Sequence, residues 1–180
     1  LLALVTMLAS RYVPMLWMGE EWGETTPFQF FEDFSDPLII EGAREGRKRD
    51  FAFHGETPPD PHDRATFLAS KLQWQMLDTP EGHATLSLVR ALIALKRSGT
   101  LGPRDGRRVV VTGDPLTRLI RIETDRSLTL LNYADEAVHW PAGAGAAQGW
   151  RPALHSLRAL GAGERPVMLE AHAAVVCLRD

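Results

Sequence analysis

Two carboxylates and an indole stand next to one another after an apolar run, and these residue types could bind a polar substrate. Glu20, Glu21 and Trp22 follow residues 13–18 and Gly19. Carboxylate oxygens accept hydrogen bonds from hydroxyl groups, and an indole offers a flat apolar surface on which a sugar ring can stack. We therefore predict that Glu20, Glu21 and Trp22 contact a carbohydrate.

Glu20 and Glu21 are not expected to form a catalytic pair. Glycoside hydrolysis uses two carboxyl groups that converge on one bond at a separation of about 5–10 Å, whereas adjacent side chains on a chain usually point apart. In the alternative that we favour, one glutamate binds substrate or orients the loop and the other takes part in a structural salt bridge. We predict no catalytic residue in this chain.

The elements around these residues indicate the end of a β/α barrel. Residues 1–11 are expected to form a helix, and the nearly continuous apolar run 13–18 is typical of a strand buried on both faces of a parallel sheet. The loops that follow the strands of such barrels build the active site. Residues 19–63 have this position, and we predict that they form a long, irregular, functional loop.

Two helices are predicted after the loop. The first spans about residues 64–76, where apolar side chains recur at helical spacing. The second has Thr79 as its N-cap and Pro80 in its first position, and Gly99 marks its end. Its apolar residues predict one buried face.

The chain changes character after residue 103, where short β-rich runs alternate with turns. The predicted strands are residues 108–112, 116–123, 127–133, 137–140, 150–154 and 171–178. We interpret this region as a small antiparallel β-sandwich. The predicted fold class is α+β, with residues 1–102 forming the C-terminal end of a (β/α)8 barrel and residues 103–180 forming the C-terminal sandwich domain.

Four segments carry a family resemblance. Residues 14–23 (PMLWMGEEWG) resemble the eighth barrel strand of the α-amylase family, with Trp17 where phenylalanine is usual. Residues 44–51 (REGRKRDF) resemble the REGRRxEF string of malto-oligosyltrehalose trehalohydrolases, with Lys48 where arginine is usual. Residues 25–28 (TTPF) and 59–74, which contain PDPHDRATF and SKLQW, are similar to further strings of that family.

The resemblance implies that the intact protein is a glycoside hydrolase. A trehalohydrolase cleaves the α-1,4 bond next to the terminal trehalose of maltooligosyl-trehalose and so releases trehalose. The family uses an aspartate nucleophile, a glutamate acid/base and a second aspartate, all on earlier barrel strands. The chain is therefore expected to be a C-terminal fragment without these carboxylates. The alternatives are a fragment of a glycogen branching or debranching enzyme, or a non-catalytic carbohydrate-binding or structural sandwich module.

Three further residues are candidate substrate ligands. Phe28 belongs to a group of phenylalanines that could line a sugar subsite, although simple packing within the loop is an equal alternative. Arg44 and Arg47 lie in a basic cluster, and a guanidinium can bind sugar hydroxyls or form salt bridges with acids of the loop. Acidic residues interrupt the cluster, which argues against a nucleic-acid interface.

The composition of the chain argues against several kinds of partner and binding site. The chain has 180 residues, a net charge of −3 and one cysteine, Cys177. We expect no nucleic-acid or membrane partner, no cofactor, and no metal because the histidines lack ligand spacing. A buried, inert Cys177 and a cytoplasmic location are the natural expectations. An isolated chain cut through a barrel is expected to self-associate through its exposed strand edges.

Overall fold

A computed structural model describes residues 1–52, 55, 57–103, 105–141, 149–161, 164 and 166–179. The chain divides into two compact units. The first, which we name the sheet unit, comprises Leu1–Trp22 and Pro80–Asp180. The second, the loop unit, comprises Gly23–Thr79. The predicted domain boundary between residues 102 and 103 concerns the intact protein and stays a prediction.

The sheet unit contains an antiparallel five-stranded sheet and a two-stranded sheet. The strands are β1 Val110–Asp114, β2 Leu119–Glu123, β3 Ser127–Asn132, β4 Val138–His139, β5 Arg151–His155, β6 Met168–Leu169 and β7 Ala174–Leu178. The order in the larger sheet is β1-β2-β3-β7-β5, and β4 pairs with β6. The antiparallel strands expected after residue 103 are therefore present, and β6 is an addition that the sequence did not predict.

Each face of the larger sheet has its own layer of apolar side chains. Alternate residues of β3 and β7 point to opposite faces. Leu131 and Val176 belong to a buried cluster that also contains residues of two helices. On the other face, Leu128, Val175 and Cys177 join a second buried cluster with Leu169, Trp150 and other residues. Burial raises the pKa of the Cys177 thiol to about 12, in agreement with the expectation of an inert thiol.

Two helices cover the first of these faces. Helix α1 spans Leu2–Ala9, and a later helix, which we number α4, spans Pro80–Arg97 with proline at its first position, as predicted. The chain after α4 approaches α1 closely. Gly102 has a φ of 48°, and a Cβ at this position would lie 1.8 Å from the Ser10 carbonyl oxygen. Only glycine fits this approach.

Residues 13–18 do not form the strand that their apolar character predicts. They are not part of either sheet of the described residues, and Val13, Met15 and Trp17 are exposed to 70%, 85% and 51%. A strand exists only where neighbouring strands satisfy its backbone donors and acceptors. Because the described residues provide no such neighbour, the segment has no regular secondary structure.

The loop unit holds more helix than the sequence predicts. Helix α2 spans Pro37–Phe51, inside the segment expected to be irregular. The Asp36 carboxylate accepts a hydrogen bond from the Leu38 N–H at 2.8 Å, and Pro37 occupies the first turn. An N-cap and an N1 proline start a helix even where no apolar face is buried. The expectation of a wholly irregular segment 19–63 is therefore wrong.

The single helix predicted at residues 64–76 is two shorter elements. Helix α3 spans Arg64–Ala69, and a 3-10 helix spans Trp74–Asp78. The Ser70 hydroxyl donates to the Thr66 carbonyl at 2.9 Å, and the Gln73 N–H donates to Glu24 instead of continuing a helix. Side chains thus take over backbone partners at the break. None of the described helices is long and apolar enough to cross a membrane.

Candidate functional site

Glu20 and Glu21 each close the turn in which they lie. Their segment is a 3-10 helix, Glu20–Trp22. Glu20 Oε2 accepts a hydrogen bond from the Trp17 N–H at 2.9 Å, and Glu21 Oε2 accepts one from the Gly19 N–H at 3.0 Å. Gly19 has a φ of 93°, which favours glycine. Both carboxylates therefore have a loop-orienting role in this structure, and contact with a substrate stays a prediction.

Trp22 anchors the same turn from the inside. Trp22 is only 5% exposed, and the turn lies against α4. The half-exposed indole of the segment is instead Trp17, which lines a shallow groove with Met18 and Ile93. Stacking of a sugar on Trp22 stays a prediction, and it requires that the ring become accessible.

Arg44 is committed to a carboxylate of its own unit. Its Nε lies 3.0 Å from both oxygens of Asp60, and a second nitrogen lies 2.9 Å from Asp60 Oδ2. This two-pronged contact raises the pKa of the Arg44 guanidinium and lowers the pKa of the Asp60 carboxyl. The geometry is that of a bidentate pair, which matches the salt-bridge alternative for Arg44.

Arg47 and Phe28 belong to two aromatic contacts of the loop unit. The Arg47 guanidinium lies 4.6 Å from the Phe51 ring centroid and 5.3 Å from that of Phe30. Such distances allow cation–π attraction. Phe28 is 46% exposed, and its ring centroid is 5.6 Å from that of Phe31. Whether Arg47 and Phe28 also touch a substrate stays a prediction.

The six predicted ligands are divided between the two units. Glu20, Glu21 and Trp22 share one turn of the sheet unit, whereas Phe28, Arg44 and Arg47 lie in the loop unit. Arg44 and Arg47 are brought onto one helix, α2. No group of three His, Cys, Asp or Glu side chains suited to a metal ion occurs among the residues that the structure describes.

Residues 60–63 form a junction that the sequence did not reveal. The Asp60 carboxylate accepts from the His62 N–H at 3.0 Å as well as from Arg44, and the Pro61 carbonyl accepts from the Glu32 N–H at 2.8 Å. Asp63 caps α3 through the Ala65 N–H at 2.8 Å. The PDPHD string was visible as a motif, but its partners lie up to 30 residues away, as the Glu32–His62 contact shows.

Glu32 and His62 form a partly enclosed polar pair in the loop unit. His62 Nδ1 lies 3.1 Å from Glu32 Oε1, and the Glu32 side chain is only 5% exposed. The other Glu32 oxygen accepts from the Phe34 N–H at 2.7 Å. Both carboxylate oxygens are thus occupied, and they fix the orientation of the imidazole ring.

The chain has relatives among curated proteins. It is 38% identical to a malto-oligosyltrehalose trehalohydrolase of Rhizobium sp. over 144 residues, which are 76% of this chain and 24% of the relative. Enzymes of the same name from Saccharolobus solfataricus and Mycobacterium tuberculosis are 42% and 44% identical over 53% and 51% of the chain, and 16% of each relative. The resemblance to malto-oligosyltrehalose trehalohydrolases is confirmed.

Solved structures agree on the architecture. A Salmonella typhimurium protein provisionally described as an α-amylase matches 99% of this chain and 30% of its own length, with a TM-score of 0.74 and 31% identity. An α-amylase of H. orenii matches with a TM-score of 0.54 at 13% identity, over 99% of this chain and 35% of its own, which shows the fold alone. The chain thus spans about a quarter or less of the curated relatives. No profile of a known protein family matches it.

Proposed function

We propose that this chain is the C-terminal part of a glycoside hydrolase that cleaves the α-1,4 bond next to the terminal trehalose of maltooligosyl-trehalose. The observation that carries the proposal is the 38–44% identity to several malto-oligosyltrehalose trehalohydrolases. The products are trehalose and a shortened maltooligosaccharide. The catalytic carboxylates belong to other parts of the longer protein, so the chain by itself does not hydrolyse the substrate.

The exposed segment 13–18 supports this placement. Its apolar side chains have no strand partner among the described residues, and they lead directly into the Glu20–Trp22 turn. In the proposed enzyme the segment is the last strand of the barrel, paired with strands from the remainder of the protein. Pairing would bury Val13 and Met15, and it would bring the turn to the carboxyl-terminal end of the barrel, where active sites lie.

In this arrangement the turn contributes to substrate binding and not to bond cleavage. Glu20 is exposed and uses one oxygen for the Trp17 N–H, which leaves the second oxygen as an acceptor for a sugar hydroxyl. Glu21 holds Gly19 and keeps the turn in shape. Trp22 supports the turn from below, and its contact with a sugar requires a movement of the turn that exposes the ring.

Product analysis tests the reaction. The complete protein that contains this chain is given maltooligosyl-trehalose and, separately, a maltooligosaccharide of equal length. We expect free trehalose from the first substrate and little cleavage of the second. The chain alone, assayed in parallel, is expected to release no sugar. Branched or debranched glucans in place of trehalose would move the protein to a glycogen branching or debranching enzyme, the second candidate.

A matched pair of variants tests the turn. Glu20→Gln removes the charge of one acceptor and is expected to raise KM for maltooligosyl-trehalose about threefold to tenfold, because one hydrogen bond contributes roughly 0.5–1.5 kcal/mol. Glu136→Gln, an exposed glutamate of the sheet unit, serves as the control and should leave KM unchanged. Equal behaviour of the two variants would remove Glu20 from the binding surface.

We further propose that the enzyme acts in the cytoplasm. The lone, buried Cys177 suits a reducing compartment. Detection of the complete protein in the soluble cytoplasmic fraction of its host supports this proposal, and detection in a secreted fraction contradicts it.

A further inference from the structure

We infer that a cleft beside Phe31, His62 and Phe67 is a binding subsite for one uncharged glucosyl unit of an α-glucan. The inference rests on the proposed function for its substrate class. Phe31 belongs to the group of phenylalanines that the sequence offered as a possible sugar subsite, whereas His62 and Phe67 were not assigned to binding. The cleft lies wholly within the loop unit and has a volume of about 490 Å³. Small-molecule sites usually measure about 300–1,000 Å³, so one sugar ring fits this space.

One wall of the cleft is aromatic. The ring centroids of Phe31 and Phe67 lie 5.2 Å apart in an edge-to-face arrangement. Phe67 remains 40% exposed, although Lys71 Nζ lies 5.2 Å from its centroid. A pyranose carries C–H groups on its ring faces, and these gain apolar and weak C–H contacts on an aromatic surface. Phe67 exposes apolar ring surface to water, and a ligand that covers this surface gains free energy from its burial.

His62 supplies a polar group to the cleft, in contrast to the aromatic wall. Its Nδ1 is bonded to the enclosed Glu32 carboxylate, and this bond leaves Nε2 as the ring nitrogen that can meet a ligand. A hydroxyl group can both donate and accept, so it can form a hydrogen bond with Nε2 in either tautomer of the ring. Because both Glu32 oxygens are occupied, the imidazole is held in one orientation before the ligand arrives.

The charges around the cleft select against anions. Glu32, Asp33 and Asp63 supply carboxylates to its lining. The opposing cations among the described residues are Arg64 in the lining and Lys71 beside Phe67. A phosphorylated or carboxylated sugar would meet net repulsion. Hydroxyl groups, in contrast, donate readily to carboxylates and accept from a guanidinium. The lining therefore fits an uncharged, hydroxyl-rich ring.

Asp60 is the positioning residue for this cleft. Its carboxylate accepts from the His62 N–H and from Arg44, and its carbonyl accepts from the buried Thr66 hydroxyl at 2.6 Å. These bonds connect α2, the His62 backbone and α3. The pair Arg44–Asp60 thus acts on substrate through His62, without touching the sugar itself.

Titration of the full chain with maltotriose, followed by NMR, tests the inference. We expect the His62 ring signals and the Phe67 amide to shift with a dissociation constant in the millimolar range, and glucose 6-phosphate to bind more weakly than glucose. Phe67→Ala is expected to weaken maltotriose binding about tenfold, the effect of one good aromatic contact. His62→Gln, which keeps a polar side chain of similar length, is expected to weaken it about threefold.

The control is Trp74→Ala, which removes an aromatic side chain of the same unit that is 62% exposed and outside the cleft. It should leave the affinity unchanged. A spectrum of each variant that retains the wild-type amide shifts of α2 and of β3 verifies that the loop unit and the sheet unit are both folded. Binding that survives both cleft variants, shifts confined to other residues, or no binding of maltotriose at all overturns the inference.

The experiments distinguish a failure of the proposed reaction from a failure of the proposed subsite. If maltotriose binds in the cleft but the complete protein releases no trehalose, the subsite stands and the proposed reaction is wrong. If trehalose is released and Phe67→Ala leaves both KM and maltotriose affinity unchanged, the reaction stands and the subsite is wrong.

Discussion

In the sheet unit, apolar side chains form two buried clusters, one on each face of the five-stranded sheet. In the loop unit, the buried residues of the described part are Pro61, Thr66 and Ser70. The loop unit is instead connected by polar contacts, among them Arg44–Asp60 and Glu32–His62. One unit is thus stabilised mainly by apolar burial and the other mainly by hydrogen bonds and ion pairs.

Because of this difference, we expect the sheet unit to contribute more to stability and the loop unit to be better suited to binding a substrate. Apolar burial contributes about 25 cal/mol per Å², whereas an exposed ion pair contributes only about 0.2–1 kcal/mol. The loop unit is therefore expected to open locally at lower cost than the sheet. The loop unit also exposes aromatic rings, such as Phe28 and Phe67, beside charged groups, and a surface of this kind suits a substrate better than a core does.

Removing apolar volume from the sheet should have the largest effect. Leu131 is fully buried in β3, and Leu131→Ala is expected to lower the free energy of unfolding by about 2–5 kcal/mol because it leaves a cavity. Urea denaturation measures the change. Leu116→Ala, at a residue that is 93% exposed, is the control and should stay within about 0.5 kcal/mol of wild type. Similar values for both would contradict a core at Leu131.

Crowding the close approach of α1 should come next. Gly102→Ala places a Cβ against the Ser10 carbonyl oxygen at a positive φ, and overpacking of this kind costs about 1–3 kcal/mol. Thermal unfolding should show a lower Tm. Gly106→Ala makes a sharper comparison, because its φ is also positive, at 83°, but its Cβ would meet no neighbour within 4 Å. Equal losses would assign the whole effect to φ.

Breaking the polar junction should affect the loop unit alone. Asp60→Ala removes the acceptor of Arg44 and of the His62 N–H, and we expect faster amide hydrogen exchange in α2 and α3, with the amides of β3 unchanged. Global stability should fall by about 1 kcal/mol or less. Asp50→Ala breaks a longer, 3.8 Å contact to Arg47 and should change exchange much less. Equal loss of protection in both units would contradict the comparison.

Acid should produce the smallest and most local change. The hydrogen bond from Arg44 lowers the pKa of Asp60. For Glu24, burial acts to raise the pKa, but the Thr26 and Gln73 N–H donors lower it overall. Folded-state pKa values below the ordinary 3.8 and 4.5 mean that this stability is present above those values and is lost as pH falls through the lowered ones. Amide shifts of His62 and Gln73 should therefore change below about pH 4, before those of β3 do. A change in the β3 amide shifts before those of His62 and Gln73 would contradict this prediction.

Self-association offers a further contrast with the complete protein. The exposed residues of segment 13–18 include Val13 and Met15, and we expect the isolated chain to elute as more than a monomer in light-scattering chromatography. Val13→Lys combined with Met15→Lys should shift it toward monomer. A monodisperse wild-type monomer would contradict the expectation.

The strands after residue 103 were predictable because their signals are local. Turn residues separate apolar runs such as β3, and a run of this type reads the same in the sequence as in the sheet. Helix α4 was equally clear, since Pro80 and Gly99 mark its limits. Strand β6 has only two residues, which is too short for a periodic signal.

The loop unit resisted prediction because its determinants are polar and distant. Helix α2 buries no residue and contains Gly42 and Gly46, so the apolar periodicity that reveals helices is absent. The Glu32–His62 pair joins residues 30 positions apart, which no local pattern shows. Residues 13–18 failed for another reason: apolar composition indicates burial but does not supply the partner strand.

The two ends of the loop unit are held together by one carboxylate. Glu24, near the start, accepts from the Gln73 N–H at 2.7 Å, and Gln73 Nε2 donates to the Thr26 hydroxyl at 2.8 Å. A segment closed at its base behaves as an insertion, and doubling the length of such a loop costs only about 0.6 kcal/mol in closure entropy. A change in the length of the stretch between Glu24 and Gln73 would therefore add little to the entropy cost of closing it.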